Sequence, residues 1–410
     1  MPKDKIAIVV SGLLIYLLSA GISYAAFSYF RPSADSSQNS PSSTGQGDQT
    51  TDGKFKLPVN KYAGLPKTEA CPLNGALRSK PERENWEKRR PIGVMVENST
   101  AGRPQSGISF ADVVYEAVAE GGITRFLLVY LCQDSEYIGP VRSARTYYLD
   151  WISEYGNSPL YVHIGGANTA GPANSLGQIS RYGWQSYNDI DGIAVGLPVF
   201  VLDVDRVAKD SATEHSKYTS TQRVWDFAAS KRGLTGVEKD DKTGKELPWD
   251  EDFVKWTFKD DASLESRPGK FSAEFNFSSV QAGYLSDYAV LWQYDHDSNS
   301  YLRFNGSKEF KDINNNQQIL AKNVVIMFQT FSIADDGYDE DGHGSHALYG
   351  TIGAGKAKFL IDGKMIDGTW SKRSRTARTV FRDASGNEVK FNRGQTWIEI
   401  LPIGQQITLQ

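Results

Sequence analysis

GGITRFLLVYLCQDSEYIGPVRSARTYY, residues Gly121–Tyr148, holds a Gly-Gly turn, an apolar run, a Gly-Pro break and then two arginines. Asp112–Ala119 and Ile123–Cys132 are β-capable runs on either side of Glu120-Gly121-Gly122, the pattern of a β-hairpin. Beyond the break, Pro140 suits the first position of a helix, where its missing N–H costs nothing. Val141, Ala144, Tyr148, Ile152 and Tyr155 then fall on one helical face. That spacing predicts a helix with Arg142 and Arg145 in its first turn. A helix N-terminus carries partial positive charge and favours acidic side chains. Two arginines there ask for a bound anion, or for carboxylate partners inside the fold such as Glu97, Glu116, Glu120 or Asp150.

Upstream, Ile6–Phe30 is apolar or small throughout, with Lys3 and Lys5 before it and Arg31-Pro32 after it. About 20 apolar residues cross a bilayer, so this segment reads as a transmembrane helix or uncleaved signal anchor at 6–30, after a short cytoplasmic end at 1–5. Arg31–Gly53 is rich in Ser, Thr, Gln, Gly and Asp and cannot form a core; the disordered tether is placed at 31–65. Both anchor and signal export the rest of the chain, which makes a Cys71–Cys132 disulfide the expected state of the two cysteines. A formal net charge of −4 excludes a globally basic nucleic-acid binder.

Pro91–Glu97 and Leu160–Gly166 read as buried strands, and Ser220–Arg232 as a helix that Gly233 ends. After a charged connector or insertion at 234–270, short β-type runs recur between Gly-, Asn- and Asp-containing turns up to Gln395–Leu401. The expected fold class is α+β: a mixed N-terminal α/β-type domain (66–233), then a β-rich antiparallel C-terminal domain (271–408), preceded by one transmembrane helix.

Arg103-Pro104-Gln105-Ser106-Gly107, Ala111–Glu116, Glu120–Arg125, Ile138–Arg145 and Tyr161–Gly166 together resemble the YerB-like family of bacterial envelope proteins. Asn323–Ile326, Gly368–Lys372 and Gly394–Glu399 extend the resemblance into the C-terminal part. The resemblance implies an envelope location and a two-part fold. It carries no established catalytic residues. Members are typically named as lipoproteins of Gram-positive cells, and this chain departs from them in having no cysteine beside its apolar segment.

Guanidinium groups bind carboxylate or phosphate through paired donors. Arg142 and Arg145 are therefore the main candidate ligands for an anionic wall polymer or lipid head group, with Arg125, Arg103, His163 and Ser143 around them. A glycan-cleaving wall enzyme is the alternative, with Glu120 or Glu116 as acid; their even spacing on one strand would give them a shared face. A protein-interaction adaptor with an envelope partner is the third reading. His343-Gly-Ser-His346 and the loop Asp335–Gly344 lack the pattern of a metal site, and no metal or cofactor is assigned. The basic run Lys372–Arg378 reads as a surface patch. The implied location is the cell membrane, single-pass, with the C-terminal domains outside the cytoplasm.

Overall fold

β1 (Ile92–Glu97), β2 (Val113–Glu120) and β3 (Ile123–Tyr130) lie side by side, with β3 antiparallel to both of its neighbours. The β2–β3 hairpin turns on Gly121 and Gly122, whose φ of 54° and 76° are costly for any residue with a Cβ. The computed structural model describes residues 61–209, 213–240, 243–280, 285–338 and 345–410. The expected cytoplasmic end (1–5), the membrane segment (6–30) and residues 31–60 of the tether lie outside these. No helix among the described residues is long and apolar enough to cross a membrane.

The structure is mostly β, with few and short helices. Further elements include, in chain order, α1 (Thr146–Ile152), β4 (Leu160–His163), β5 (Asp189–Asp191), α2 (Thr221–Arg232), β6 (Ser272–Asn276), β7 (Ala289–Asp295), β8 (Ser300–Asn305), β9 (Asn323–Gln329), β10 (Gly353–Ile361), β11 (Lys364–Lys372), β12 (Val380–Asp383) and β13 (Thr396–Pro402), among shorter strands and helices. Ten strands make one mixed sheet in the order β12-β11-β10-β9-β13-β2-β3-β1-β4-β5. β13 runs parallel to β9 on one side and to β2 on the other, pairing Trp397 with Val324 and Ile398 with Tyr115. The C-terminal strands are thus not purely antiparallel, because a strand returning from a long connection can be inserted in either direction.

Every residue of β1 is buried, as expected of a strand covered on both faces. One cover is α1, whose Trp151 stacks on Tyr115 with ring centroids 5.6 Å apart. Gly93 lets it approach: a Cβ there would lie 2.6 Å from Ile152 Cδ1. The other cover is the antiparallel sheet of β6, β7 and β8, from which Trp292 meets Trp397 edge to face at 5.2 Å.

The predicted helix start at Pro140 is early by six residues, about one and two-thirds turns. The helix begins at Thr146, and Arg145 is its extended N-cap, with φ −136° and ψ 150°. The preceding residues are drawn into the sheet: the N–H groups of Val141, Arg142 and Ala144 donate to the carbonyls of Lys217, Met95 and Gly165. These distant partners outweigh the local helical spacing. Residues 234–270 are less exposed than their charge suggests. The hairpin Val237–Lys239/Glu246–Pro248 forms there, and Trp249 and Trp256 are buried. The Ser220 side chain caps α2, accepting from Arg223 N at 3.2 Å, and Gly233 closes it in the left-handed conformation.

Candidate functional site

Glu116 and Glu120 do not share a face. The register of β2 against β3 slips between Val118 and Glu120, and such a bulge turns the following side chain over. Glu116 faces the second sheet, where Arg303 Nη2 donates to it at 2.9 Å. Glu120 faces α1 and the arginines at its start.

There Arg125 Nη2 donates to one oxygen of Glu120 and Arg145 Nη2 to the other. Their second arms donate to the carbonyls of Ser143 and Ala144, at 2.9 and 3.0 Å. Both guanidinium groups are buried, and Glu120 keeps 17% of its side chain exposed. Burial alone would raise the Glu120 pKa, but Arg125 and Arg145 outweigh it and hold the carboxyl down at about 2. In the unfolded chain the same group titrates near 4.5. A depressed folded pKa gives stability that is complete above the unfolded value and is lost as pH falls towards the folded one. The stability difference between wild type and Glu120→Gln, from urea midpoints, is therefore expected to shrink by about 3 kcal/mol between pH 5 and pH 2. A difference that stays flat over that range would show that Glu120 is not held ionised by the pair.

The other predicted residues are also engaged. His163 is fully buried between Asp189 Oδ1 at 2.6 Å and the Gly165 carbonyl at 2.7 Å. Burial would lower its pKa, but Asp189 prevails and raises it, which suits an imidazolium donating from both nitrogens. Arg142 lies between Glu97 at 3.6 Å and the exposed Glu214 at 3.4 Å. Glu97 also holds His215 Nδ1 at 2.7 Å and accepts from Ser99 Oγ at 2.5 Å. Ser143 contributes its carbonyl to Arg125, and its side chain is half-buried.

Arg103 differs from these. Its Nε donates to Asn98 Oδ1 at 3.0 Å, and its guanidinium lies 5.0 Å from the Tyr288 ring centroid. Its Nη2 is buried without a hydrogen-bond partner, and it makes no ion pair among the described residues. It lines a surface cavity of about 470 Å³ with Pro104, Asp287, Asn305, Lys308, Phe310, Lys311 and Ile313. Lys311 is paired with Glu309 at 2.9 Å, while the exposed Lys308 has no ion-pair partner among the described residues. Burial is the main force on Arg103, and it disfavours the charged form. Arg142 Nε and Arg145 Nε are also buried without a partner, so what sets Arg103 apart is a cavity-lining guanidinium with no carboxylate bound to it, a group able to receive an anion.

Three charged residues at the core of the fold escaped the sequence reading. Glu399 of β13 stands in register with Glu116, and Arg303 lies between them, 3.8 Å from Glu399. Burial and then the Glu116 charge push the Glu399 pKa well above the carboxylate range, against the pull of Arg303. A charge in the middle of the apolar run TWIEILP was the available signal. Glu154 likewise gathers Lys372 and Arg378 at 2.8 and 2.6 Å. The expected surface patch at Lys372–Arg378 is therefore corrected, since these two members are buried on an internal carboxylate. Cys71 and Cys132 form a disulfide, and beside it Asp112 accepts from Leu131 N and Cys132 N at 2.7 and 2.8 Å. With both sulfurs oxidised, that cluster offers no thiolate to a metal. His343 and residues 339–344 lie outside the described residues. His346 Nδ1 donates to Asp336 Oδ2 at 2.7 Å, and the ring stacks on Tyr338 at 3.9 Å.

Comparison with known proteins adds two kinds of finding. The family description "Protein of unknown function (DUF3048) N-terminal domain" matches residues 77–235, and that of the DUF3048 C-terminal domain matches 280–398. YerB of Bacillus subtilis (strain 168), whose name marks it as a candidate lipoprotein, is 27% identical over 317 residues, 77% of this chain and 82% of YerB. The crystal structure of the YerB protein from Bacillus subtilis superposes with a TM-score of 0.62 at 24% identity, covering 84% of this chain and all of that one.

Proposed function

The chain belongs to the DUF3048 family, and from that premise we propose that it is an envelope protein that binds an anionic envelope component through Arg103. The apolar segment 6–30 holds it in the membrane, and the folded part stands outside the cytoplasm. The single observation that carries the reading is the Arg103 guanidinium, which lines a cavity of about 470 Å³ and makes no ion pair among the described residues. Arg125 and Arg145 are already occupied by Glu120, and a ligand would have to displace it. Lys308 adds positive charge at the rim, which outnumbers the lining acids once Glu309 is paired with Lys311 and Asp287 is set against Arg103, and Phe310, Ile313 and Pro104 add apolar wall. A carboxylate or phosphate carried on a larger, partly apolar body fits that lining.

A hydrogen bond to a charged group contributes roughly 1.5–3 kcal/mol, so Arg103→Ala should weaken binding about 10- to 100-fold. Residues 54–410 would be sedimented with isolated cell wall in one arm and with phosphatidylglycerol vesicles in the other, which separates polymer from lipid as the source of the anion. Arg142→Ala should change binding much less, because Arg142 already has Glu97 and Glu214. Equal binding by wild type and Arg103→Ala in both arms would defeat the proposal. Glycan cleavage is the weaker reading. Its proton donor must be protonated and reachable, whereas Glu120 is ionised with a pKa of about 2 and Glu116 is 1% exposed. Incubation with peptidoglycan is accordingly expected to release no soluble fragments.

A further inference from the structure

Among the described residues, the arginines buried in the fold are Arg90, Arg125, Arg145, Arg303 and Arg378, and each ends on a carboxylate. Arg103 ends on an amide instead. Asn98, which follows β1 and is 1% exposed, accepts through its Oδ1 from Arg103 Nε and from Gln105 Nε2, both at 3.0 Å. The other end of the amide is fixed from behind. Its Nδ2 donates to Thr124 Oγ1 at 2.7 Å and to Glu116 Oε1 at 3.3 Å. Thr124 Oγ1 gives its own proton to Glu116 at 2.7 Å, so it faces Asn98 as an acceptor. Turning the amide over would set its N–H groups against two donors and its oxygen against two acceptors. The amide therefore has one orientation, and Arg103 meets a carbonyl oxygen.

The geometry points to Asn98 as the positioning residue of the Arg103 site: a neutral amide holds the guanidinium at the cavity without neutralising it, so its charge is left for an anion on the ligand. This rests on the anion-binding reading given above for Arg103. A carboxylate in the same place would hold the guanidinium at least as firmly, through a charge-assisted bond, and would close the site from inside. Glu116 does this to Arg303, at 2.9 Å, on the far side of the same network. Asp287 also lines the cavity, without an ion pair to Arg103. Asn98 itself has little to offer a ligand, since its oxygen already accepts two bonds and its nitrogen donates two. Selection therefore runs through the Arg103 charge.

The test moves the acid along this network. Exchanging Asn98→Asp together with Glu116→Gln keeps the net charge and puts the carboxylate on Arg103, while Arg303 retains Glu399 at 3.8 Å from its Nε. The variants are made in Lys54–Gln410, which forms one compact unit with its own core. Sedimentation with isolated cell wall and with phosphatidylglycerol vesicles is the readout. The exchange variant should bind about 10- to 100-fold more weakly than wild type, as Arg103→Ala does, and keep its urea midpoint. In the Arg103→Ala background the exchange should change binding no further. A further loss there would overturn the proposal, because Asn98 would then act other than through Arg103. Asn98→Ala guards against misfolding of the exchange. It removes one neutral hydrogen bond and leaves the charge open, so binding should fall only about 2- to 10-fold. A loss as large as that of Arg103→Ala would overturn the proposal, since the chemistry of the group at this position would be immaterial. Wild-type binding by the exchange variant, with Arg103→Ala impaired, would overturn it too and leave the anion site standing. Equal binding by wild type and Arg103→Ala would overturn the anion-binding reading itself, and this proposal with it.

Discussion

Glu154→Ala is expected to destabilise the protein by about 3–5 kcal/mol, the cost of leaving buried cations without their anion. Glu154 follows α1 and has no exposed side-chain surface. Its two oxygens accept from Lys372 Nζ, Arg378 Nη1 and Thr379 Oγ1 at 2.8, 2.6 and 2.6 Å, and from the Tyr115 hydroxyl at 3.1 Å. The cations cannot swing out to water. Lys372 also donates to the Ala377 carbonyl at 2.7 Å, and the Arg378 guanidinium packs 3.6 Å from the Trp256 ring. Burial opposes ionisation of Glu154, yet Lys372 and Arg378 prevail and lower its pKa, so the carboxylate is charged in the fold. Urea unfolding reads the loss as a lower midpoint at constant slope. The triple change Glu154→Leu, Lys372→Met and Arg378→Met should recover more than half of it, since it removes the stranded charges together. A loss below about 1 kcal/mol for the single change would place the cluster with exposed pairs of little net worth.

The second large effect is expected from the disulfide. Cys71 and Cys132 are 61 residues apart in sequence, and a closed loop of that length restricts the unfolded chain by about 4 kcal/mol on the chain-entropy account. Replacing both by alanine should lower stability by about 2–4 kcal/mol, with the shortfall reflecting residual order in the unfolded chain. The comparison is between oxidised wild type and the double variant in urea. Coincident midpoints would show that the bond constrains nothing the unfolded chain does not already constrain. The bond joins the lead-in before β1 to the end of β3 and stands beside the buried Asp112. That carboxyl, whose pKa burial pushes up, accepts two backbone N–H groups there and Asn74 Nδ2 at 2.9 Å.

Much of the strand content was legible because its signals are local. Gly121 and Gly122 announce the hairpin, PIGVMVE and LYVH carry continuous apolar runs, and Gly233 ends α2 at the expected place. Order along the chain is a different matter. Val141 and Ala144 satisfy a helical wheel, yet bridge to Val96 and Gly166 instead, and nothing within their own window reveals those partners. Glu116 and Glu120 have even spacing, and a single slipped residue puts them on opposite faces. The arginines show the same limit. Their chemistry was readable, but which ones already had a carboxylate depended on residues far away, as with Arg378 and Glu154, 224 positions apart. Arg103 stood among the candidates as a supporting residue. It is distinguished only by having Asn98 and Tyr288 as neighbours where the others have acids.

The placing of Thr396–Pro402 bears on how the chain is made. This strand follows both of its neighbours in the chain, yet its seat is between Val113–Glu120 and Asn323–Gln329. Until it arrives, both flanking strands expose bare edges of the kind that draw other chains into aggregation. A nascent chain that holds both flanking strands but not yet Thr396–Pro402 lacks the strand that joins them, and pairing across such a span is slow. Any premature stop before Thr396 removes the seam rather than the fringe. A chain lacking this strand is therefore expected to leave two open half-sheets, each prone to proteolysis and to pairing with other chains.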